Sequence, residues 1–322
     1  MLPRALFAAA AVAAFAAPPT VVEYAIPRPG AFPHDPAAGG DGVVWYTDQA
    51  NSYIGRFDPE TRRFSDVATP TPGSAPHGIE VGPDGMVWYT AQASGLIGRL
   101  DPASMTITEF PLPAEANNPH TPHVFGGYVW FTDQNNNRYG RLDPRTGHVD
   151  TWEIPTAASA PYGIVSAPDG ALWIALFRHN RLGRVDTTTG AMREFTLPAA
   201  GARPRRLQVA DDGTVFYTDY ARGFLGALDP RTGQVREWPC SSPNAGPYGI
   251  VIDNEGSIWF NESRNGRMVK FDPRTTRMES VPIPTPGSTV RNISIDRGRG
   301  RIWLALSGTG RLGRIDVTRR GS

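Results

Sequence analysis

Met86-Val87-Trp88-Tyr89-Thr90 is a short apolar run with two aromatic residues at its centre, and the same pattern recurs six more times along the chain. A run of this length between turn residues is typical of a buried β-strand. The equivalent aromatic residues are Trp45, Trp88, Trp130, Trp173, Phe216, Trp259 and Trp303, at spacings of 43, 42, 43, 43, 43 and 44 residues. Blades of β-propellers have a period of this size. The seven markers therefore predict an all-β, seven-bladed β-propeller whose aromatic markers pack between neighbouring sheets.

The second repeat indicates how one blade is built. An inner strand begins at Ala75-Pro76-His77-Gly78-Ile79, Gly82-Pro83-Asp84-Gly85 makes a turn, and the marker strand follows. The third strand is Leu96-Ile97-Gly98-Arg99-Leu100, and residues 107–112 form the outer strand. Proline and glycine provide the turn conformations between these strands. Each blade is therefore predicted to contain four strands.

The two ends of the chain indicate how the ring closes. The seventh repeat ends at Asp316-Val317 after three strands, whereas Val22-Glu23-Tyr24-Ala25-Ile26-Pro27 matches the outer-strand sequence Glu109-Phe110-Pro111-Leu112-Pro113. We expect the N-terminal strand to complete the last blade, which removes an open sheet edge. This predicts one propeller domain over residues 21–317, and a monomer because the fold closes on itself.

Residues 1–17 have the pattern of a secretory signal peptide. Arg4 precedes an apolar run from Ala5 to Ala17, which is too short to span a bilayer. The pattern predicts a secreted or periplasmic protein with no membrane span after the signal is removed, and retention of the segment as an anchor is the alternative. Cys240 is the single cysteine of the sequence, so we expect no intramolecular disulfide.

Charge and motif content narrow the class of partner. The 32 basic and 31 acidic side chains give a net charge of +1, so no global field favours nucleic acid or an anionic membrane. The sequence lacks Walker, dinucleotide-binding and zinc-type spacings, and we therefore expect no nucleotide or organic cofactor. The remaining partner is a small-molecule or peptide-like ligand in the central funnel.

Two sets of equivalent positions fall on one face of the predicted propeller, where each inner strand begins and each marker strand ends. The residue about 11 positions before each marker is His34, His77, His120, Tyr162, Arg205, Tyr248 or Arg291. The residue three positions after each marker is Asp48, Ala91, Asp133, Leu176, Asp219, Glu262 or Leu306. Because these positions vary within a strict repeat and are mostly polar, they indicate a functional site.

The residue types suggest separate roles. Histidine transfers protons near neutral pH, so His34, His77 and His120 are the catalytic candidates. Carboxylate oxygens bind hard cations, which makes Asp48, Asp133 and Glu262 the candidate ligands of Mg²⁺ or Ca²⁺. The candidates for ligand binding are Tyr162, Arg205, Arg206, Tyr248, Arg291 and Asn292. The alternative is that the ring side chains hydrogen-bond neighbouring loops and that the carboxylates cap tight turns.

The blade consensus resembles that of the virginiamycin B lyase (streptogramin lyase) family over all seven repeats. The segments that carry the resemblance are Ala75-Pro76-His77-Gly78-Ile79, Gly82-Pro83-Asp84-Gly85, Trp130-Phe131-Thr132-Asp133, Leu96-Ile97-Gly98-Arg99-Leu100 and Thr108-Glu109-Phe110-Pro111-Leu112-Pro113. The resemblance implies an enzyme that opens a streptogramin B macrocycle at its ester by elimination, with a magnesium ion and a histidine general base.

The position of the Pro-His openings differs from the family pattern. In antibiotic-cleaving members the last two blades open with Pro-His, and glutamates near the last of these complete the site. In this chain those blades open with Pro247-Tyr248 and Val290-Arg291, and Pro-His occurs in the first three blades. A rotated register would form the base and metal site from His77, His120 and Asp133.

These observations lead to one main hypothesis and two alternatives. The main hypothesis is an exported lyase with a divalent cation near Asp48, Asp133 or Glu262 and His77 or His120 as proton acceptor. The first alternative is a non-catalytic propeller that recognises a peptide, glycan or cell-wall fragment. The second is a lactonase-like hydrolase, which would add water to its product.

Overall fold

The computed structural model describes residues 19–317, which form seven four-stranded antiparallel sheets arranged as a β-propeller. The predicted signal peptide lies outside these residues. Each of blades 1 to 6 is one continuous stretch of four strands in chain order. The predicted seven-bladed, four-stranded, all-β architecture is confirmed.

The strands of the first three blades follow the chain from the axis outwards. Blade 1 contains β2 (Pro33–Ala38), β3 (Val44–Asp48), β4 (Tyr53–Asp58) and β5 (Arg63–Ala68). Blade 2 contains β6 (Pro76–Val81), β7 (Val87–Ala91), β8 (Leu96–Asp101) and β9 (Thr106–Pro111). Blade 3 contains β10 (Pro119–Phe125), β11 (Tyr128–Asp133), β12 (Arg138–Leu142) and β13 (Val149–Glu153), and a 3₁₀ turn, Ala114–Ala116, precedes it.

The next three blades repeat this order. Blade 4 contains β14 (Pro161–Ser166), β15 (Leu172–Leu176), β16 (Arg181–Val185) and β17 (Met192–Thr196). Blade 5 contains β18 (Pro204–Val209), β19 (Val215–Asp219), β20 (Phe224–Leu228) and β21 (Val235–Pro239). Blade 6 contains β22 (Pro247–Ile252), β23 (Ile258–Glu262), β24 (Arg267–Asp272) and β25 (Arg277–Pro282).

Blade 7 combines both ends of the described chain. Its strands are β26 (Val290–Asp296), β27 (Arg301–Leu306), β28 (Arg311–Asp316) and, on the outside, β1 (Val21–Ala25), with a 3₁₀ turn at Ser307–Thr309. β1 pairs antiparallel with β28, from Val21 opposite Ile315 to Ala25 opposite Arg311. The predicted closure by the N-terminal strand is confirmed, and the edge of β28 that would otherwise be open is paired.

The aromatic markers pack between blades, as the period predicts. None of the seven is more than 4% exposed. In blade 1, Trp45 lies in one core cluster with Ile79, Val87 and Tyr89 of blade 2. Glycine in the third strand makes room for this layer, because a Cβ at Gly98 would collide with the ring of Tyr89. The blades therefore contact one another through continuous apolar layers.

No helix among residues 19–317 has the length and apolar character needed to cross a membrane.

Candidate active site on the propeller axis

A bulge at the start of every inner strand positions the site. In blade 1, Pro33 pairs with Asp48 and Pro36 pairs with Tyr46, so His34 and Asp35 lie in the irregular stretch between these pairs. The same register shift occurs in the inner strands of the other six blades. Bulges bend a strand and redirect its side chains. The repeated bulge presents the variable residues near the axis.

The residue two positions after the marker fixes this bulge. Thr47 Oγ1 accepts a hydrogen bond from the Asp35 backbone N–H at 3.1 Å and donates one to the His77 carbonyl at 2.8 Å. One hydroxyl thus joins the bulge of blade 1 to the equivalent residue of blade 2. The side chains that likewise donate to the next blade are Thr90, Thr132, Thr218 and Asn261.

The three histidines predicted to be catalytic lie side by side. The ring centroids of His34 and His77 are 4.0 Å apart, and those of His77 and His120 are 3.9 Å apart. Tyr162 continues the series at 3.9 Å from His120. All four side chains are buried. Blades 1 to 4 therefore contribute a continuous arc of stacked rings to the axis.

Asp35 connects this arc to the opposite side of the channel. Its Oδ1 lies 2.8 Å from His34 Nδ1, and its Oδ2 accepts hydrogen bonds from Arg206 Nη2 at 3.0 Å and Asn292 Nδ2 at 2.8 Å. These partners come from blades 1, 5 and 7. Sequence reasoning predicted His34, Arg206 and Asn292 but missed Asp35. The available signal was an acidic residue directly after a ring histidine.

The surroundings keep the Asp35 side chain ionised. Burial alone would raise its pKa, but the charge of Arg206 and the hydrogen bond from His34 hold the pKa well below the usual range. An ionised carboxylate can only accept hydrogen bonds, so the proton between His34 and Asp35 is bonded to Nδ1 of His34. The Nε2 atom of neutral His34 is then a proton acceptor.

The histidines are neutral at neutral pH. Burial lowers the pKa of His34 below its ordinary value, and the hydrogen bond to Asp35 offsets only part of this effect. Burial also lowers the pKa values of His77 and His120 well below the ordinary value; repulsion from neighbouring histidines and Arg206 adds to the shift, and the charge of Asp35 opposes it at His77. A neutral imidazole has a ring nitrogen that can accept a proton, so these histidines can serve as a general base but not as imidazolium acids.

The other side of the axis is cationic and aromatic. The Arg205 guanidinium carbon lies 4.6 Å from the ring centroid of Tyr162, 4.3 Å from that of Tyr220 and 4.0 Å from that of Tyr248. Arg205 Nη2 also donates a hydrogen bond to the Tyr162 hydroxyl at 2.8 Å, and the Tyr162 and Tyr248 hydroxyls bond to each other. Each contact to an aromatic face favours the charged guanidinium.

Arg291 completes the cationic side next to blade 1. Its guanidinium carbon lies 5.7 Å from the Phe32 ring centroid, and its inner strand contacts that of His34. The charge of Arg291 contributes to the lowered pKa of His34. The six residues predicted to bind ligand therefore lie around the same channel as the three histidines.

Comparison with known proteins assigns the chain to a family. The model of the virginiamycin B lyase family matches residues 6–143 and 122–321, which together cover most of the chain. The chain belongs to the virginiamycin B lyase family. A comparison with curated protein sequences gives no match.

Solved structures of virginiamycin B lyases share the fold. A streptogramin B lyase structure has 25% sequence identity and a TM-score of 0.86, covering 93% of this chain and 98% of that one. A virginiamycin B lyase from Staphylococcus aureus has 24% identity and a TM-score of 0.87, covering 94% of this chain and 100% of its own. A catalytically inactive variant of the S. aureus enzyme, determined with quinupristin, has the same identity, coverage and TM-score.

In this member of the virginiamycin B lyase family, the carboxylates predicted to bind a metal lie in separate blades. Asp48 Oδ1 accepts from the Phe32 N–H at 3.0 Å, Asp133 Oδ2 from the Asn118 N–H at 3.1 Å, and Glu262 Oε1 from the Ser241 N–H at 2.9 Å. Each carboxylate also accepts from an Asn side chain of its own loop.

These contacts hold the loops of blades 1, 3 and 6. They match the alternative interpretation, in which these carboxylates cap tight turns. Carboxylates that are engaged in this way, one to a blade, do not fit one shared magnesium or calcium ion. Binding of Mg²⁺ or Ca²⁺ stays a prediction, which metal analysis of the purified protein tests. Within residues 19–317, the one group of three acidic or histidine side chains with ligand atoms all within 4.8 Å of one another is His34, Asp35 and His77.

A cavity of about 320 Å³ occupies the other half of the channel and was not predicted. Asp35, Arg206 and Asn292 line its inner end, and none of the seven ring residues lines it. Glu80 and His123, whose side chains lie 3.1 Å apart, are on its wall. The Asp35 network thus lies between this cavity and the stacked rings.

Proposed function

We propose that the protein is an exported carbon–oxygen lyase that opens a cyclic ester by elimination, with His34 as the general base. The observation that carries the proposal is the His34–Asp35 pair, which Arg206 and Asn292 hold beside two further neutral histidines. Membership of the virginiamycin B lyase family supports the reaction type. Export rests on the signal-peptide pattern of residues 1–17.

Elimination at an ester needs a base that is neutral before the reaction and stabilised after it. His34 Nε2 accepts the proton from the carbon next to a carbonyl group. The electron pair of that C–H bond forms a carbon–carbon double bond while the bond from the β-carbon to the ester oxygen breaks. The acyl half leaves as a carboxylate, and no water is consumed.

Asp35 acts as a positioning residue for this step. Its hydrogen bond fixes the His34 tautomer and its charge stabilises the imidazolium that forms, which is the role of the aspartate in a Ser-His-Asp triad. Arg206 and Asn292 in turn fix Asp35. His77 packs against the ring of the base and limits its rotation, and His120 packs in turn against His77.

The direct test is incubation of the purified protein with virginiamycin B, with and without magnesium, followed by mass spectrometry. Elimination gives a linear product with the mass of the substrate, whereas hydrolysis adds the mass of one water. The variant His34→Ala should lose the linear product, and His148→Ala is the matched control because its side chain is 71% exposed. Absence of linear product at high enzyme concentration would refute the activity on this antibiotic.

Ligand recognition without turnover is the second candidate function. The aromatic and cationic side chains of blades 4 to 7 favour it, because they suit binding as well as they suit catalysis. The same incubation separates the two functions, since a recognition protein retains virginiamycin B on the protein and releases it with an unchanged chromatographic position.

A further inference from the structure

The axial site contains more positive than negative charge. Arg206 forms an ion pair with Asp35 at 3.0 Å. Among residues 19–317, Arg205 and Arg291 form no ion pair, although both are partly buried. A guanidinium removed from water without an anion is unfavourable. Two cationic side chains therefore lack a counter-charge near the axis.

Three unsatisfied guanidinium donors lie at the same place. The Nε atoms of Arg205, Arg206 and Arg291 are buried and have no hydrogen-bond partner. Arg206 is only 8% exposed. Buried polar groups in folded proteins are nearly always paired, so donors that remain unpaired around one channel indicate a ligand with acceptor oxygens.

Aromatic rings surround Arg205. Phe177 and Tyr220 are partly buried residues of the loops that follow β15 and β19, and their ring centroids lie 6.2 Å apart. Arg205 lies 5.1 Å from the Phe177 ring centroid, and exposed Arg264 lies 4.8 Å from that of Tyr220. An acceptor group attached to a planar hydrophobic body fits this combination best.

We propose that Arg291 and Arg205 form a binding site for a carboxylate, and that its preferred ligands are aromatic carboxylic acids. The inference builds on the proposed function because it names the substrate class, an ester whose acyl half leaves as an aromatic carboxylate. As the bond from the β-carbon to the ester oxygen breaks, the negative charge develops on that oxygen and the guanidinium groups stabilise it. Free aromatic carboxylates then act as product-like inhibitors.

The test is a binding titration that needs no turnover. Sodium benzoate is titrated by calorimetry into the full-length protein at constant ionic strength, with benzamide as an uncharged ligand of the same shape. We expect saturable binding of benzoate and at least tenfold weaker binding of benzamide, because hydrogen bonds to charged groups contribute strongly. Equal binding of the two ligands, or tighter binding of inorganic phosphate than of benzoate, would overturn the proposal.

Variants locate the binding site. Arg291→Gln should weaken benzoate binding about tenfold or more, whereas Arg291→Lys should retain part of the affinity because it keeps the charge. Arg145→Gln is the control, since this arginine lies in a turn with its side chain 78% exposed. Thermal unfolding verifies that each variant is folded. Unchanged benzoate affinity in folded Arg291→Gln would contradict the assignment.

The outcome is independent of the lyase assay. Benzoate binding without formation of any linear product would remove the proposed activity and leave the carboxylate site in place. Formation of the linear product without benzoate binding would do the reverse.

Discussion

Blades 1 to 3 and blades 4 to 7 have the same backbone at the axis but different chemistry. Both groups have the bulge at the start of the inner strand. On the first side this bulge presents His34, His77 and His120, whereas on the second it presents Arg205 and Arg291 with two tyrosines between and beside them. The repeat therefore fixes where a side chain lies, and the residue type alone decides whether that side presents imidazoles or guanidinium groups.

The closing strand supports both sides, so its removal should have the largest effect. Deleting residues 21–27 exposes the edge of β28 and removes the contacts of Val21 with the core of blade 7. We expect aggregation or loss of the cooperative thermal transition, because a strand edge of this length is free to pair with another chain. An unchanged melting curve for the deletion variant would show that the ring does not depend on this strand.

The link between the two sides is the second target. Asp35→Asn keeps the shape of the side chain but removes the charge that stabilises protonated His34 and that pairs with Arg206. We expect kcat for ester elimination to fall by roughly 10³-fold or more, with a smaller change in KM, as in triads that lose their aspartate. Asp143→Asn, in an exposed turn, is the control. If kcat fell equally in Asp35→Asn and Asp143→Asn, the positioning role of Asp35 would be contradicted.

Stability should respond to pH through the histidine side. The pKa values of His34, His77 and His120 are lowered in the folded protein, so below about pH 6.5 the unfolded chain takes up protons that the folded protein excludes. Unfolding free energy should therefore be constant just above pH 7 and decrease as the pH falls towards 5. Each buried histidine contributes at most about 1.4 kcal/mol per pH unit.

A histidine variant tests whether the buried rings cause this pH dependence. His120→Gln should decrease the slope of unfolding free energy against pH, because the unfolded chain then has one histidine fewer to protonate. His179→Gln, outside the ring, should leave the slope unchanged. Chemical denaturation at several pH values gives the slope. If His120→Gln and the parent protein had equal slopes, the buried histidines would not be the origin of the pH dependence.

The smallest effect is expected from the hydroxyl that joins two blades. Thr47→Val removes the hydrogen bonds to the Asp35 N–H and the His77 carbonyl, and should cost about 1–3 kcal/mol of unfolding free energy. The equivalent residue in blade 4 is Ala175, which has no such hydrogen bond to offer. Ala175→Ser is the matched reverse substitution, because it adds a hydroxyl at the position equivalent to the one from which Thr47→Val removes it. If Thr47→Val left the unfolding free energy unchanged, packing alone would fix the bulge.

The period of the sequence was sufficient to predict the fold and the ring. A strict spacing defines equivalent positions, and equivalent positions in a closed repeat surround the axis, which is why His34, Tyr162 and Arg205 were found without a structure. Asp35 was missed because its role depends on a bulge that points two consecutive residues at the channel. No spacing rule shows such a bulge.

The carboxylates at the ends of the marker strands illustrate the other limit. Spacing placed Asp48 and Asp133 on the face where the inner strands begin, but it does not indicate whether an oxygen points to the axis or to the loop of its own blade. Backbone donors in each loop settle that direction, because a buried N–H requires an acceptor. The cavity beyond Asp35 was missed for a similar reason, since its volume depends on the packing of inner strands from several blades.

The proposed role of the His34–Asp35 pair is to catalyse an elimination rather than a hydrolysis. The most direct measurement is the reaction with virginiamycin B in water labelled with heavy oxygen, with the product analysed by mass spectrometry for wild-type protein and His34→Ala. We expect a linear product without heavy oxygen, formed by the wild type and not by His34→Ala. A product that carries one heavy oxygen, or the same amount of product from His34→Ala, would contradict it.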